Sequence, residues 1–405
     1  MSESKRPRVL QIVSSLGMGG AETWLVQLLR YWERQYANSA SPNVPATDFL
    51  ITSGNQGIFD DEVRALGART HYVPFKKGTV GSFARAFRTI LRQNQYCAIH
   101  DHQDFLSGWH LMLAAGKLPP VRVVHVHNPT YQLTQNYGVN IRRRTQLAMG
   151  KQFLKRFATH IGGTSKQVLD EYGITDQTFP KQWIGALHCA FPLAPWQLDR
   201  AAARQTLLEE LNWPEETRVV LFAGRLDYSA DIDHRHNHKN SAFALRIIEH
   251  CADQNIRMIM AGQNNFIADE FQQLIDEKGL TDRVQMLGIR KDICHLMVGS
   301  SALLFPSRAE GLGMVAVEAQ AAGLPVLASS AVPSECVVLK EMVSFLNLNQ
   351  PFTDWAQRLT ELCNGSENAP TGTDPRWKTS PFNIAVCGDA LQTLYLNRPC
   401  PYSTK

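Results

Sequence analysis

Residues 305–323 read Phe305-Pro-Ser-Arg-Ala-Glu310-Gly-Leu-Gly-Met-Val315-Ala-Val-Glu318-Ala-Gln-Ala-Ala-Gly323. The apolar run that ends at Phe305 predicts a buried strand, and Pro306 stops it. The strong helix formers that follow Gly313 predict a helix that ends at Gly323. A helix that starts just beyond a strand directs its first N–H groups and a partial positive charge at that edge of the sheet. This stretch therefore favours an anion-binding site.

The composition is typical of a globular protein with two domains. The chain has 405 residues, which is more than one hydrophobic core ordinarily accommodates. Of these residues, 44% are hydrophobic and 19% are charged. A formal charge of +4 gives no argument for nucleic acid as a partner. The eight cysteines form no Cys-x-x-Cys pair, which predicts a reduced, cytoplasmic protein without a zinc site. Because no run of ~20 apolar residues occurs, we expect any membrane contact to be peripheral.

Glu310 and Glu318 lie eight residues apart, so one carboxylate falls in the loop and the other about two turns into the helix. This pair resembles the E-x7-E motif of the family 4 glycosyltransferases, and the match extends to Pro325. This match points to the capsular and exopolysaccharide members of the family. A second segment also resembles those members, and it reads Asp101-His-Gln-Asp-Phe-Leu-Ser-Gly108. The alternative is that both residues have only structural roles, Glu310 as an acidic residue of a turn and Glu318 as a solvated residue of the helix. The resemblance implies a donor site built from Glu310, Gly311, Leu312, Gly313, Met314, Val315 and Glu318.

Strands and helices alternate along the chain, which predicts parallel sheets. With the resemblance, this gives an α/β fold of two Rossmann-like domains facing a central cleft, the GT-B fold. We expect an acceptor-binding domain at 1–196 and a nucleotide-sugar-binding domain at 197–380. Residues 364–381 are rich in Gly, Pro, Ser and Thr and are interpreted as a linker. Residues 381–405 are expected to form a last helix and tail that pack back on the first domain.

The first strand is followed by a glycine-rich turn that contains Gly17, Gly19 and Gly20. A dinucleotide-binding fingerprint requires a third glycine where this chain has Glu22, so a dehydrogenase is disfavoured. In the resembled family, a Gly-Gly pair at this turn lets the donor phosphates and the acceptor approach. Gly19 and Gly20 match it, although a purely structural turn is an equal alternative.

Histidines follow two neighbouring strands of the first domain. His100 and His102 end one strand, while His125 and His127 end the next, which predicts one polar cleft. The resemblance implies that His127 meets the donor sugar, and we regard His100, His102 and Asn128 as acceptor-side candidates. A satisfied core histidine is the alternative for at least one of them, and metal ligation is less favoured.

Gly224-Arg225-Leu226 ends a strong strand, and Lys239 precedes a helix. The resemblance implies that Arg225 and Lys239 neutralise the donor diphosphate, whereas the alternative is a pair of surface salt bridges. The intervening residues 227–238 carry three alternating histidines. We interpret them as a flexible loop that covers the donor rather than as a metal site. Arg290 ends a strand whose loop resembles the family's nucleobase-facing loop.

Two basic segments, 82–94 and 131–157, are either solvated helix faces or contacts for anionic lipid headgroups. The protein is expected in the cytoplasm, and the second of these alternatives would place it at the inner face of the membrane.

The resemblance implies a retaining transfer of a hexosyl unit from a nucleotide sugar, of which a UDP-sugar is favoured, to a hydroxyl acceptor such as a lipid-linked saccharide. The catalytic candidates are Glu310, His127, Arg225 and Lys239, with no cofactor and no metal. The alternatives are a nucleotide-sugar 2-epimerase of the same fold and a non-catalytic subunit that binds nucleotide sugar.

Overall fold

The computed structural model describes residues 6–39, 41, 43–131, 141–263, 267–365 and 373–396. These residues divide into two compact units. The first unit contains the described residues up to 130, those from 141 to 192 and those from 381 onwards, and the second contains Tyr131 and the described residues from 193 to 380.

The first unit is built on a parallel sheet of seven strands in the order β3-β2-β1-β4-β5-β6-β7. Its helices include α13, which follows the second unit in sequence and packs on α1. The strands are β1 (Arg8–Val13), β2 (Ala46–Ile51), β3 (Thr70–Tyr72), β4 (Ala98–Asp101), β5 (Val121–Val126), β6 (His160–Gly163) and β7 (Trp183–Ala186). The helices are α1 (Gly20–Ser39), α2 (Asp60–Ala65), α3 (Val80–Asn94), α4 (Leu106–Leu113), α5 (Ile141–Phe157), α6 (Lys166–Glu171) and α13 (Ile384–Tyr395).

The second unit has a parallel sheet of six strands in the order β10-β9-β8-β11-β12-β13. The strands are β8 (Arg218–Ala223), β9 (Ile256–Ala261), β10 (Val284–Gly288), β11 (Ala302–Phe305), β12 (Val326–Ser329) and β13 (Val343–Leu346). The helices are α7 (Arg200–Leu211), α8 (Ser241–His250), α9 (Ala268–Glu277), α10 (Ile293–Gly299), α11 (Met314–Ala321) and α12 (Phe352–Asn364). Short 3₁₀ turns lie at Ala194–Trp196, Ser334–Cys336, Lys340–Met342 and Pro375–Lys378.

The strand order in each sheet reverses once, between β1 and β4 and between β8 and β11. The central strands are buried on both faces, which explains their continuous apolar sequences. In open parallel sheets, loops separate at such a reversal and leave a crevice beyond the carboxyl ends of the strands. The prediction of two Rossmann-like α/β units is confirmed, and each unit has a crevice position where the predicted site residues are found.

Helix α13 joins the first unit through specific contacts with α1. Trp32 Nε1 donates a hydrogen bond to the carbonyl of Gly388 at 3.3 Å, and the Trp32 and Tyr395 rings lie 6.0 Å apart. A Cβ on Gly388 would lie 2.6 Å from the Tyr31 ring, so a glycine is needed for this approach. Helix α13 therefore completes the core of the first unit.

Part of the segment interpreted as a linker is structured. Residues 375–378 form a 3₁₀ turn, and Trp377 within it is fully buried. Residues 366–372 lie outside the described residues. None of the described helices combines the length and the apolar character that crossing a bilayer requires.

Candidate functional site

The start of α11 lies directly beyond β11 in the second unit. Gly313 precedes the helix with φ of 88°, a conformation that favours glycine. A Cβ at this position would also lie 2.9 Å from the Phe305 ring and 3.0 Å from Val332. No described side chain caps the helix, so the first N–H groups, from Met314 and Val315, face the crevice position without a capping side chain. The predicted anion site therefore has the expected local structure.

Lys239 and Glu310 form an ion pair at this position, with Lys239 Nζ 2.6 Å from Glu310 Oε1. Their side chains are 27% and 10% exposed, so the pair is partly screened from water. Lys239 Nζ also lies 5.4 Å from the centre of the Phe305 ring. The two residues are 71 positions apart in sequence, and the fold brings the predicted phosphate-binding cation into contact with a carboxylate of the predicted donor site.

The backbone that carries Lys239 is fixed by Asp227, a buried residue that the sequence did not single out. Asp227 Oδ1 accepts a hydrogen bond from Lys239 N at 2.8 Å, and Oδ2 accepts from Ser241 N at 2.6 Å and Ser241 Oγ at 2.9 Å. Asn240 adopts φ of 63° and donates from Nδ2 to the carbonyl of Pro306 at 3.1 Å. Lys239 is thus held between the start of α8 and the loop after β11.

Arg225 is exposed just beyond β8, with its guanidinium carbon 5.4 Å from the centre of the Tyr228 ring. The turn that carries it is tightly packed, since a Cβ on Gly262 would lie 2.0 Å from the carbonyl oxygen of Gly224. No carboxylate of the described residues forms an ion pair with Arg225. Its positive charge therefore faces solvent at the carboxyl edge of the sheet.

Residues 227–238 form a loop with its own hydrogen bonds. The Asn237 side chain accepts from Tyr228 N and Ser229 N and donates to the carbonyls of Ser229 and Asp231. Arg308 donates to the carbonyls of Ile232 and His234, which attaches the loop to the segment before Glu310. These contacts give the loop a defined conformation, and its interpretation as a cover for the donor stays a prediction.

Glu318 lies on α11, and burial raises its pKa to about 7. Arg290 follows β10, where its guanidinium binds Asp292 and Glu210. Asp292 occupies the N-cap position of α10, but its side chain forms no capping hydrogen bond because the carboxylate binds Arg290. A contact from the Arg290 side chain to a nucleobase would therefore compete with two carboxylates.

In the first unit, α1 begins at Gly20, and a Cβ on that residue would have no neighbour within 4 Å. A Cβ on Gly19 would lie 2.1 Å from Glu22 Oε2. Burial raises the pKa of Glu22, the residue that replaces the third glycine of a dinucleotide fingerprint. The turn is therefore open at Gly20 and constrained at Gly19 by a flexible side chain.

The four predicted histidines lie close together on one face of the sheet. Gln11 on β1 is in register with His100 on β4, and the alternation of strand residues brings His102, His125 and His127 to the same face. His100, His102 and His125 are buried, His127 is half-buried, and Asn128 is exposed. Burial lowers the pKa of His127 to about 3 and holds the pKa values of the other three well below their usual range. These imidazoles are neutral at physiological pH.

Asp104 supports the loop that carries His127, and the sequence analysis assigned it no role of its own. Its carboxylate accepts hydrogen bonds from His127 N at 2.8 Å and from Asn128 Nδ2 at 2.9 Å. The backbone of Asp104 has φ of 48°, a conformation that Asp and Asn tolerate better than most residues. Burial raises its pKa to about 6.

One ring nitrogen from each of His100, His102 and His125 lies within 4.8 Å of the other two. A metal ion could bridge this spacing after small movements of the side chains. Both ring nitrogens of His102, however, already form hydrogen bonds, at 2.9 Å to His127 and at 2.9 Å to Gln11. A metal ion would have to break one of them. Within the described residues, His234, His236 and His238 form no such group.

Residues 203–369 match the family model described as glycosyl transferases group 1. The putative glycosyltransferase EpsF of Bacillus subtilis (strain 168) is 27% identical over 360 residues, covering 88% of this chain and 88% of EpsF. The capsular polysaccharide biosynthesis glycosyltransferase CapH of Staphylococcus aureus is 22% identical over 398 residues, covering 96% and 99%. The resemblance inferred from the motifs is confirmed.

The fold is similar to that of Anabaena HepE, solved in complex with UDP. The TM-score is 0.73 at 16% identity, and the alignment covers 95% of this chain and 98% of HepE. HepE has also been solved with UDP-glucose, with a TM-score of 0.71. These alignments cover more of the chain than the second unit alone.

Proposed function

We propose that this chain, whose residues 203–369 match the family model of the group 1 glycosyl transferases, transfers a hexosyl unit from a UDP-sugar to a hydroxyl group with retention at the anomeric carbon. The observation that carries the proposal is the contact of Lys239 with Glu310 beside the start of α11. A cation, a carboxylate and free helix N–H groups at one point are suited to a diphosphate joined to a sugar. The solved complexes of HepE with UDP and UDP-glucose support the choice of nucleotide.

In the proposed reaction, the bond between the anomeric carbon and the diphosphate oxygen breaks, and its electron pair stays on the diphosphate. The oxygen of the acceptor hydroxyl forms the new bond on the same face of the sugar, and its proton passes to the departing phosphate. Arg225, Lys239 and the first N–H groups of α11 stabilise the growing negative charge, a role that needs no metal ion. Glu310 accepts hydrogen bonds from sugar hydroxyls, and Glu318 accepts them from the ribose.

We further propose that the acceptor is a lipid-linked saccharide used in polysaccharide biosynthesis. The role of CapH in capsular polysaccharide biosynthesis supports this assignment. Arg85 and Arg92 are exposed on α3, where they would contact lipid phosphates at the cytoplasmic face of a membrane, whereas Arg88 donates to the carbonyl of Leu113 at 2.6 Å. The lipid and the saccharide are chosen by loops rather than by the fold.

The test is release of UDP or GDP from a panel of sugar nucleotides by the purified protein, with and without a membrane extract. We expect UDP release that requires the extract, that is lost in Arg225→Ala, and that is unchanged by EDTA. Arg358→Ala is the matched control, because Arg358 lies on α12 and bonds Ser344 and Glu361 instead. Formation of an epimer without extract would favour an epimerase, and nucleotide binding without turnover would favour a non-catalytic subunit.

A further inference from the structure

A chain of hydrogen bonds connects His127 to the last helix of the first unit. His127 Nε2 lies 2.9 Å from His102 Nδ1, and His102 Nε2 lies 2.9 Å from Gln11 Oε1. Gln11 Nε2 lies 3.3 Å from the hydroxyl of Tyr395 on α13, which in turn lies 2.5 Å from His100 Nδ1. All of these residues except His127 are buried.

The direction of each hydrogen bond follows from the chemistry of the groups. An amide oxygen can only accept, so His102 must carry its proton on Nε2, where it faces Gln11. Burial keeps His102 neutral, so its Nδ1 has a lone pair and accepts from His127. His127 must then carry its proton on Nε2. Its Nδ1 is left with the lone pair.

The orientation of the Gln11 amide decides this result. If the amide were turned by 180°, its nitrogen would donate to His102, and each proton along the chain to His127 would move to the other ring nitrogen. Tyr395 opposes that orientation. The 2.5 Å separation between its hydroxyl and His100 Nδ1 suits an O–H donor better than an N–H donor, so Tyr395 gives its proton to His100. The Tyr395 oxygen can then only accept, which requires the nitrogen of Gln11 on that side.

We infer that Tyr395 and Gln11 are positioning residues that hold His127 in the tautomer with its proton on Nε2. In the proposed reaction, on which the role of this tautomer rests, Nδ1 of His127 accepts a hydrogen bond from a hydroxyl group of a substrate. The other tautomer would offer that hydroxyl a donor in place of an acceptor. The last helix of the chain thus acts on the site through a side chain that does not touch the substrate.

The experiment is side-chain NMR of the full chain labelled with ¹⁵N-histidine, in which two-bond correlations identify the protonated ring nitrogen. A His127→Gln sample assigns the signal of His127. We expect a single Nε2–H tautomer at His127 in the wild type and a mixture of tautomers in Tyr395→Phe. Equal mixing would lower kcat/KM by about twofold, because only half of the molecules hold the competent tautomer.

Tyr31→Phe is the matched control. The Tyr31 hydroxyl also links α1 to α13, through Asp389 at 3.0 Å, but it is not part of the chain to His127. We expect it to leave the His127 signal and kcat/KM unchanged. Gln11→Met, which keeps the side-chain volume and removes the amide, provides a second variant if Tyr395→Phe does not fold, and it is also expected to mix the tautomers.

An Nδ1–H tautomer at His127 in the wild type would overturn the inference, as would a Tyr395→Phe spectrum identical to that of the wild type. Because the NMR measurement requires no turnover, it also separates this inference from the proposed function. A fixed tautomer in a protein without transferase activity would remove the catalytic role and leave the positioning intact. Transferase activity in a wild-type protein whose His127 tautomers are mixed would remove the positioning and leave the proposed function intact.

Discussion

Lys239 Nζ lies 2.6 Å from Glu310 Oε1, so the cation assigned to the donor diphosphate binds the carboxylate assigned to the donor sugar. A nucleotide sugar placed between them would replace this ion pair with one between Lys239 and the diphosphate and with hydrogen bonds from sugar hydroxyls to Glu310. Both side chains are more than two-thirds buried, and removal of either leaves the other charge with reduced solvation. The pair therefore has consequences for stability as well as for catalysis.

The first prediction concerns Lys239→Met. Loss of the cation that stabilises the leaving diphosphate is expected to lower kcat by about 10² to 10³. The measurement is UDP release under saturating donor. The charge-matched control is Lys166→Met, because Lys166 is exposed on α6 and pairs with Asp170 four residues away. A kcat within twofold of the wild type in Lys239→Met would remove Lys239 from the catalytic group.

A double-mutant cycle tests the pair itself. We expect Lys239→Met and Glu310→Gln each to lower the free energy of unfolding, and the double variant to recover part of the loss. The coupling is expected to be about 1 kcal/mol, since the pair is neither fully exposed nor fully buried. Denaturant unfolding of the four proteins measures it. Strict additivity of the two single changes would mean that the contact adds nothing to stability.

The second prediction is a pH dependence that arises from Glu318. Burial raises its pKa to about 7, so the carboxyl is mostly protonated at pH 6 and mostly ionised at pH 8. The ionised form is the better acceptor for ribose hydroxyls, and donor affinity is therefore expected to rise about tenfold over this range. UDP-glucose is the appropriate ligand because its diphosphate lacks the terminal phosphate ionisation near pH 6 that UDP has.

Calorimetric titration of UDP-glucose at several pH values measures this effect, and Glu318→Gln is the control. The glutamine keeps the shape of the side chain and cannot ionise, so its affinity is expected to be weak and independent of pH between 6 and 8. Should Glu318→Gln retain the wild-type pH dependence, another group would have to be its source.

The third prediction concerns the turn that carries Arg225. A Cβ on Gly262 would lie 2.0 Å from the carbonyl oxygen of Gly224, so Gly262→Ala must displace that carbonyl and the Arg225 that follows it. We expect a loss of about 1 to 3 kcal/mol in the free energy of unfolding and a fall in kcat/KM of about tenfold or more. Thermal unfolding and donor turnover are measured together.

Gly279→Ala is the matched control in the same unit. Gly279 also has positive φ, at 63°, but a Cβ there would have no neighbour within 4 Å. The control is expected to lose stability from backbone strain and to keep its kcat/KM. If the two variants lost turnover equally, displacement of Arg225 would not be the cause.

The fold could be predicted from the sequence because the patterns that indicate its strands and helices are local. Short apolar runs, each followed by a helical segment, predict the alternating strands and helices of a parallel-sheet fold. The stretch at Glu310 predicts one of the two crevice positions. Strand β13 was missed because Val343–Leu346 has four residues and only partial burial. Helix α12 was also missed, although Trp355, Leu359 and Cys363 recur at the helical period and are buried, so a signal was present.

Only part of the candidate site could be predicted from the sequence. The alternation of His125 and His127 correctly brings their rings together, with centres 4.0 Å apart, although His127 follows the end of β5. The partner that orients this group could not be found in the same way. Tyr395 lies 384 residues from Gln11, and neither periodicity nor spacing relates two side chains that meet only through the packing of α13 on α1.

The last prediction compares two glycines in helices of the first unit. A Cβ on Gly150 in α5 would lie 2.5 Å from the carbonyl oxygen of Phe105, where α5 approaches α4. A Cβ on Gly81 in α3 would have no neighbour within 4 Å. Because alanine favours the helix over glycine in both, the propensity term is shared and the difference reports packing. Gly81→Ala is expected to raise the free energy of unfolding by about 0.5 to 1 kcal/mol.

Gly150→Ala is expected to lower the free energy of unfolding by about 1 to 3 kcal/mol, because the backbone of two helices must separate to admit one methyl group. Denaturant unfolding of both variants beside the wild type gives the comparison. A stabilising effect of Gly150→Ala would mean that α4 and α5 are not in close contact. Gly108 shares the contact, since its Cβ would lie 2.3 Å from the carbonyl oxygen of Gly150, so Gly108→Ala should repeat the loss and the two changes should not add.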